Sequence, residues 1–546
     1  MSYPHAFVAA LSSLTFPFRN GTPIALLLFL VYFALFLLPG FAVATLVWRP
    51  KQTDSPVQLV VTISASAALG FLAFWAFFFS KAFGRALCFA VYAASVFLLI
   101  RASRRGNTVL LLFRNVRTPL LYTAATGLLY TSLFFLPSKS VGSDPEYPGA
   151  RFFAEGRPSD NLIPLFLADR LYDRRPIRPF CCGDWLSSDR PPLQSGVFLL
   201  QRPLRVAGGN WLHYQLLATG LQCLWVCGVW CLLLSLGTSS ARTGQLLLFL
   251  STSGFLFYNS VYTWPKLFAS ALFLFAVSIL ITSIRDQRRT TMLEACAGSC
   301  SVGLALLAHP GTIFSLPAFG VLAIRHRRYF SLRQLALPAL LMLCLLLPWS
   351  AYQRWVDPPG NRLLKMHLGG EMDPTPRSTW QVVQDAYRHH TAGEILRFKL
   401  SNLALLAGRS PWDLLGVNAV ALRPDVHVDR ASAERSRIAQ SQYIWNALGV
   451  LNLGWAVWLL SALRGRSDSA VPFGPWLAVA GLFNLAIWAL VMFGPGATVT
   501  THSSYADILL LSIGLLSWIF TLPRSVVAFA FVLHAVNSLV VWVWPR

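Results

Sequence analysis

Acidic side chains are scarce in this chain: 22 Asp and Glu in 546 residues, with charged residues of both signs making up only 12%. A soluble chain of this length carries about a quarter charged residues, so a soluble multidomain enzyme is excluded as the plan of the molecule. No run of five or six cations stands alone, and no Arg/Lys stripe is interleaved with aromatics. The net charge of +23 therefore reads as topology signal and lipid-headgroup contact, with no nucleic-acid partner. No Cys/His spacing fits zinc. Of the nine cysteines, Cys88, Cys223, Cys227, Cys231, Cys296, Cys300 and Cys344 sit inside apolar blocks as small packing residues, while Cys181 and Cys182 are neighbours in a polar loop. No cleavable signal is evident. The first apolar run, 23–48, is too long for an h-region and is preceded by a lone Arg19, so it is expected to stay as a span. No internal repeat or low-complexity tract is visible.

What is abundant is apolar sequence, 55% of the chain, in blocks of about twenty residues, the length that crosses about 30 Å of hydrocarbon. The blocks predict an all-α polytopic membrane protein with about fourteen spans, near 23–47, 57–80, 84–101, 119–136, 210–236, 243–261, 266–284, 292–308, 312–324, 334–352, 442–463, 473–493, 505–522 and 525–543. The pair 292–308 and 312–324 also fits a re-entrant pair or one longer tilted helix.

Alternate loops hold 18 Lys and Arg, from Arg49 to Arg524, against three acids, Asp54, Asp286 and Asp468. By the positive-inside rule these loops face the cytoplasm and both termini face outward. Two long loops, 137–209 and 353–441, then fall outside, and they contain 17 of the 22 acids. The organisation expected is 1–136 N-terminal spans, 137–209 an outer catalytic loop, 210–352 central spans, 353–441 an outer loop able to act as a lid, and 442–546 C-terminal spans. Chemistry that needs carboxylates belongs on the outer face. Within the first loop, Ser159-Asp160-Asn161 is a helix-start signal. The stretch Leu162–Arg175 reads as a short amphipathic helix on the membrane surface, with Asp169, Arg170, Asp173 and Arg174 as its polar stripe.

The most informative residues are Asp160-Asn161-Leu162-Ile163-Pro164, then Gly183-Asp184-Trp185, then Asp189-Arg190-Pro191-Pro192-Leu193. In order and spacing this stretch resembles the GT-C superfamily, the polytopic glycosyltransferases that use polyprenyl-phosphate donors. It is most similar to the branch with the protein O-mannosyltransferases and the lipid A aminoarabinose transferase. That branch has an acidic pair at the start of an outer juxtamembrane helix, a Gly-Asp-Trp-like turn about 25 residues on, and an acid-Lys-Pro-Pro-Leu motif entering the next span. Here Asn161 replaces the second acid, Asp189-Arg190 replaces acid-Lys, and three extra spans precede the loop. The match covers about 40 residues.

The resemblance implies an inverting transfer of sugar from a polyprenyl-phosphate donor to a glycan, lipid or protein acceptor at the outer face of the membrane; compact loops and the absence of eukaryotic sorting signals lead to the expectation of a bacterial cell membrane. Asp160 is the implied base, with Asp144, in Ser143-Asp144-Pro145-Glu146, as the rival acid. Asp189 is expected to bind a divalent ion or the acceptor. A carboxylate within reach takes the proton of a hydroxyl as it attacks, and cations or a metal hold the charge that develops on the leaving phosphate. The outer-face candidates for phosphate and substrate contact are Lys266, His309, Arg354, Arg362, Lys365, Asp184 and Arg190, with His502 and Asp507 at another outer mouth. The alternative function is a multi-span transporter or flippase. The loop asymmetry and the absence of repeat halves or of an acid at the middle of a span argue against it.

Overall fold

The computed structural model describes residues 22–47, 55–106, 108–135, 159–180, 185–330, 332–408, 439–464, 469–494 and 502–542. These are helical, with no strand among the described residues. In chain order come α1 (Thr22–Val47), α2 (Ser55–Phe79), α3 (Lys81–Arg104), α4 (Thr108–Phe135), α5 (Ile163–Asp173), α6 (Leu193–Gln201), α7 (Asn210–Cys223) and α8 (Trp225–Ser235). They are followed by α9 (Ser240–Ser251), α10 (Gly254–Val261), α11 (Lys266–Arg285), α12 (Met292–Ala308), α13 (Leu316–Arg325) and α14 (Leu332–Ala351). The last group is α15 (Arg362–Gly369), α16 (Thr379–Arg388), α17 (Ala392–Ala407), α18 (Ile444–Leu448), α19 (Leu453–Leu463), α20 (Gly474–Val491), α21 (Tyr505–Ile519) and α22 (Arg524–Trp542).

Among the described residues, eight helical stretches are long and apolar enough to cross a membrane: Thr22–Val47, Pro56–Phe79, Lys81–Arg104, Asn210–Ser235, Lys266–Arg285, Ala336–Val356, Ile444–Leu463 and Gly474–Val491. Four more apolar helices are shorter. The block expected as one span at 243–261 is two helices, α9 and α10, with Thr252 and Ser253 between them. At the break Thr252 Oγ1 donates to Phe249 O at 2.8 Å, and Ser538 Oγ donates to Thr252 O at 2.6 Å. In hydrocarbon such a break persists only where side chains satisfy the freed groups.

The chain divides into two compact units, Met1–Leu232 with Asn259–His309 and Tyr329–Trp349, and Leu233–Tyr258 with Pro310–Arg328 and Ser350–Arg546. In the first unit, α1–α4 pack on one another and the short α6 lies along α2. That contact is a close backbone crossing, because a Cβ on Gly196 would stand 2.3 Å from Gly70 O. The best apolar window of Asn210–Ser235 is wholly buried, so this span is central. Most of the equivalent window of α3 is exposed, as suits a lipid-facing helix. In the second unit α20 and α21 form the main pair, again through a glycine: a Cβ on Gly481 would stand 2.7 Å from Asp507 O.

The α5 helix buries its apolar face and keeps its polar stripe partly exposed, with the charges making specific contacts. Arg174 Nη1 donates to Phe77 O and Phe78 O at 3.2 and 3.0 Å, satisfying end carbonyls of α2 that have no partner within the helix. Arg170 donates to Pro176 O and Phe180 O. Asp169 and Asp173 turn to the buried Arg202, at 2.8 and 3.6 Å. The amphipathic helix expected from sequence is present, and its charges also tie α5 to α2 and to the turn after α6.

Candidate functional site

Three segments far apart in sequence meet in the first unit. Ser159–Leu162 forms a single 3₁₀ turn ahead of α5, Ser187–Asp189 another ahead of α6, and Tyr262–Lys266 leads into α11. Proline at the start of α5 and before α6 suits helix entry, where its missing N–H costs nothing. The turns present Asp160, Arg190 and Lys266, which are 1%, 7% and 3% exposed. The Asp160 carboxylate pairs with Arg190 through Oδ2 and accepts from the Tyr262 hydroxyl through Oδ1 at 3.2 Å. The Lys266 ammonium is near enough to act on the same carboxylate and sits 4.8 Å from the centre of the Trp264 ring.

Arg190 is held in a cage. Its guanidinium lies 5.3 Å from the Trp185 ring centre and 5.5 Å from that of Trp264, within cation–π range. Its Nη1 donates to Asp189 O at 3.0 Å. Its Nε is buried without a hydrogen-bond acceptor among the described residues. A buried donor left unpaired costs about 1–3 kcal/mol, so the guanidinium has unused capacity for an anion. Burial pushes the Asp160 carboxyl above its ordinary value, against the pull of Arg190, Tyr262 and Lys266.

A buried amide relay fixes these turns. Gln194 Nε2 donates to Tyr214 Oη at 2.6 Å and Thr263 O at 2.9 Å, and Tyr214 Oη donates to Asn161 O at 2.8 Å. Gln222 Nε2 donates to Gln194 Oε1 at 2.9 Å, and Gln222 Oε1 accepts Phe268 N–H at 3.1 Å. Thr263 is bound in this way at φ +60°, a region that a β-branched residue enters only when its surroundings enforce it. Ser195 Oγ donates to Pro164 O at 2.9 Å, joining α6 to α5.

Asp189 is a turn residue here: its Oδ2 accepts Leu186 N–H at 2.8 Å. Among the described residues no group of three or more His, Cys, Asp or Glu comes together. The described cluster sets two cations, Arg190 and Lys266, beside its one acid, Asp160. His309 follows the last turn of α12 in the same unit, its N–H donating to Ala305 O at 2.9 Å. Asp144 and Asp184 lie outside the described residues. Arg354, Arg362 and Lys365 belong to the second unit, where Arg354 is exposed and Arg362 and Lys365 are buried. The Lys365 ammonium donates to Thr375 O at 2.7 Å.

Sequence reasoning singled out Asp160, Arg190 and Lys266 but missed Tyr262, Gln194 and Gln222 as parts of one network. Tyr262 stands in the same short stretch as Lys266. The two glutamines in apolar helices were the available signal, since an amide buried among apolar side chains needs partners.

Comparison with protein-family models, curated proteins and solved structures finds no match to this chain.

Proposed function

We propose that this membrane protein is an inverting glycosyltransferase that moves a sugar from a polyprenyl-phosphate donor to an acceptor at the outer face. The fourteen-span topology with both termini outside is part of this reading. The observation that carries it is the buried Asp160–Arg190–Tyr262 cluster with Lys266 beside it. It unites the first and last pieces of the GT-C-like motif, 30 residues apart, with a cation from a third segment.

The chemistry follows from the charges. The acceptor hydroxyl oxygen attacks the anomeric carbon as the bond from that carbon to the phosphate oxygen breaks. The hydroxyl proton passes to Asp160, and the electron pair leaves with the lipid phosphate. Arg190 and Lys266 hold the phosphate oxygens. A phosphate drawing the guanidinium towards itself loosens the Asp160–Arg190 pair and frees the carboxylate to act as base. Donor binding and base activation are thereby coupled through one side chain.

Complementation of a deletion strain tests the reading. Surface glycan composition and lipid-linked sugar pools are compared for wild type, Asp160→Asn and Asp144→Asn at matched expression. The expected result is loss of one sugar and build-up of its lipid carrier in the deletion, with no rescue by Asp160→Asn. Failure of Asp144→Asn instead moves the base to Asp144. Unchanged glycans and carrier pools in the deletion overturn the transferase.

A transporter is the second reading, favoured by Asp507 in the second unit. This acid is 1% exposed and is held by Ser315 Oγ at 2.9 Å and Asn484 Nδ2 at 2.9 Å, both neutral groups. Buried acids in spanning helices often mark ion pathways. Solute or proton flux in proteoliposomes that Asp507→Asn abolishes and Asp160→Asn leaves intact would favour it.

A further inference from the structure

We propose that α17, in the segment expected to act as a lid, is an interfacial helix seated at the membrane–water boundary, with membrane lipid as the partner of its outward face. The inference does not depend on the transferase reading.

The first observation fixes depth. Asn402 Nδ2 donates to Ala489 O at 3.2 Å and Met492 O at 3.0 Å, and Lys399 Nζ donates to Met492 O at 2.5 Å. These carbonyls close the C-terminal end of α20, a helix long and apolar enough to span. The last carbonyls of a helix have no partner within it, and in hydrocarbon they must find one. Side chains of α17 supply it. The second half of α17 therefore lies at the depth of the last turn of a spanning helix.

The second observation concerns the opposite face. Leu396 and Leu400, one helical turn apart, are 60% and 57% exposed, and Ala404 continues the stripe as an exposed residue. Leu400 points roughly opposite the buried Asn402, as a spacing of two residues on a helix requires. Two leucines presented to water at this depth would forgo the burial that neighbouring hydrocarbon offers.

The third observation is continuity and charge. Leu490 and Val491, in the last turn of α20, are 48% and 40% exposed, so the spanning helix that α17 caps keeps apolar side chains open to its very end. Arg397, exposed beside the stripe, brings a cation to headgroup level, and Lys399 reaches back to the carbonyls. Phe493 anchors the arrangement, with ring contacts to Phe398, His390 and Tyr387 and its N–H donating to His367 O at 2.9 Å. The helix is thus clamped to a span at one face and open at the other.

The test uses the full chain, with native cysteines replaced, carrying Leu396→Cys or Leu400→Cys labelled with an environment-sensitive fluorophore. The protein is reconstituted in vesicles of phosphatidylcholine and phosphatidylglycerol. The expected result is several-fold stronger quenching by a nitroxide on a lipid chain than by iodide in the water. Equal or stronger iodide quenching overturns the proposal, because the face then meets solvent. Protection from both quenchers overturns it as well, because a second copy or another protein then covers the stripe. Retention of the gel-filtration profile in each labelled variant shows that the fold is kept.

Discussion

Arg190 is the residue on which the site balances, since it neutralises Asp160 while keeping its own Nε unpaired. Arg190→Lys keeps the charge but loses the planar fork between two indole rings, and such sites do not tolerate the exchange. Transfer measured with a lipid-phosphate sugar donor is expected to fall by roughly 10-fold or more with Arg190→Lys. For Asp160→Asn the expected loss is about 10²–10⁴-fold, the usual contribution of a general base. A base must be ionised to act. Because burial holds the Asp160 carboxyl above its ordinary value, the rate is expected to rise with pH through a midpoint higher than that of an exposed aspartate. The stability consequence has the opposite sign. The folded state binds its proton more tightly than the unfolded state, so the contribution of this group to stability falls as pH climbs from the ordinary value through the raised one. Thermal unfolding of wild type and Asp160→Asn across that window is expected to show the decline only in wild type.

Among the elements, short α6 carries the most. It lies against α2 at Gly70 and Gly196 and presents Gln194 and Ser195 to the site. Gly196→Leu forces the helices apart, and overpacking of this kind costs about 1–3 kcal/mol. The expected readout is a lower unfolding temperature in detergent together with lost transfer, whereas Gln194→Ala is expected to lower transfer more than stability. The helices themselves were legible: runs of about twenty apolar residues form helices in hydrocarbon because every backbone group must be satisfied locally. The break between α9 and α10 was not read from the sequence, and the partner of its Thr252 carbonyl, Ser538, lies 286 residues away. The tie between the α5 stripe and α2 was not legible either, since Arg174 reaches carbonyls nearly a hundred residues earlier in the chain.

For the whole molecule, the cations of alternate loops predict a topology with both termini outside. Cysteine-accessibility mapping on intact cells is expected to label introduced sites in 137–158 from outside and sites in 102–107 and 286–289 only after permeabilisation. Labelling of the two sets in the reverse sense would invert the topology and remove Asp160 from the outer face.

The sequence by itself determined that this chain is a helical membrane protein, because apolar length and scarcity of charge act on each segment separately and need no knowledge of its neighbours. It also marked Asp160 and Arg190, through the order and spacing of a motif that resembles the GT-C superfamily, and Lys266, as a charge at the end of an apolar block. Only the tertiary structure decided that these three share one buried cluster, that Tyr262 completes it, and that Asp189 closes a turn. Hydrogen bonds and ion pairs act over about 3 Å, and which groups come within that distance across a hundred residues of chain is settled by helix packing, which leaves no local pattern in the residues themselves.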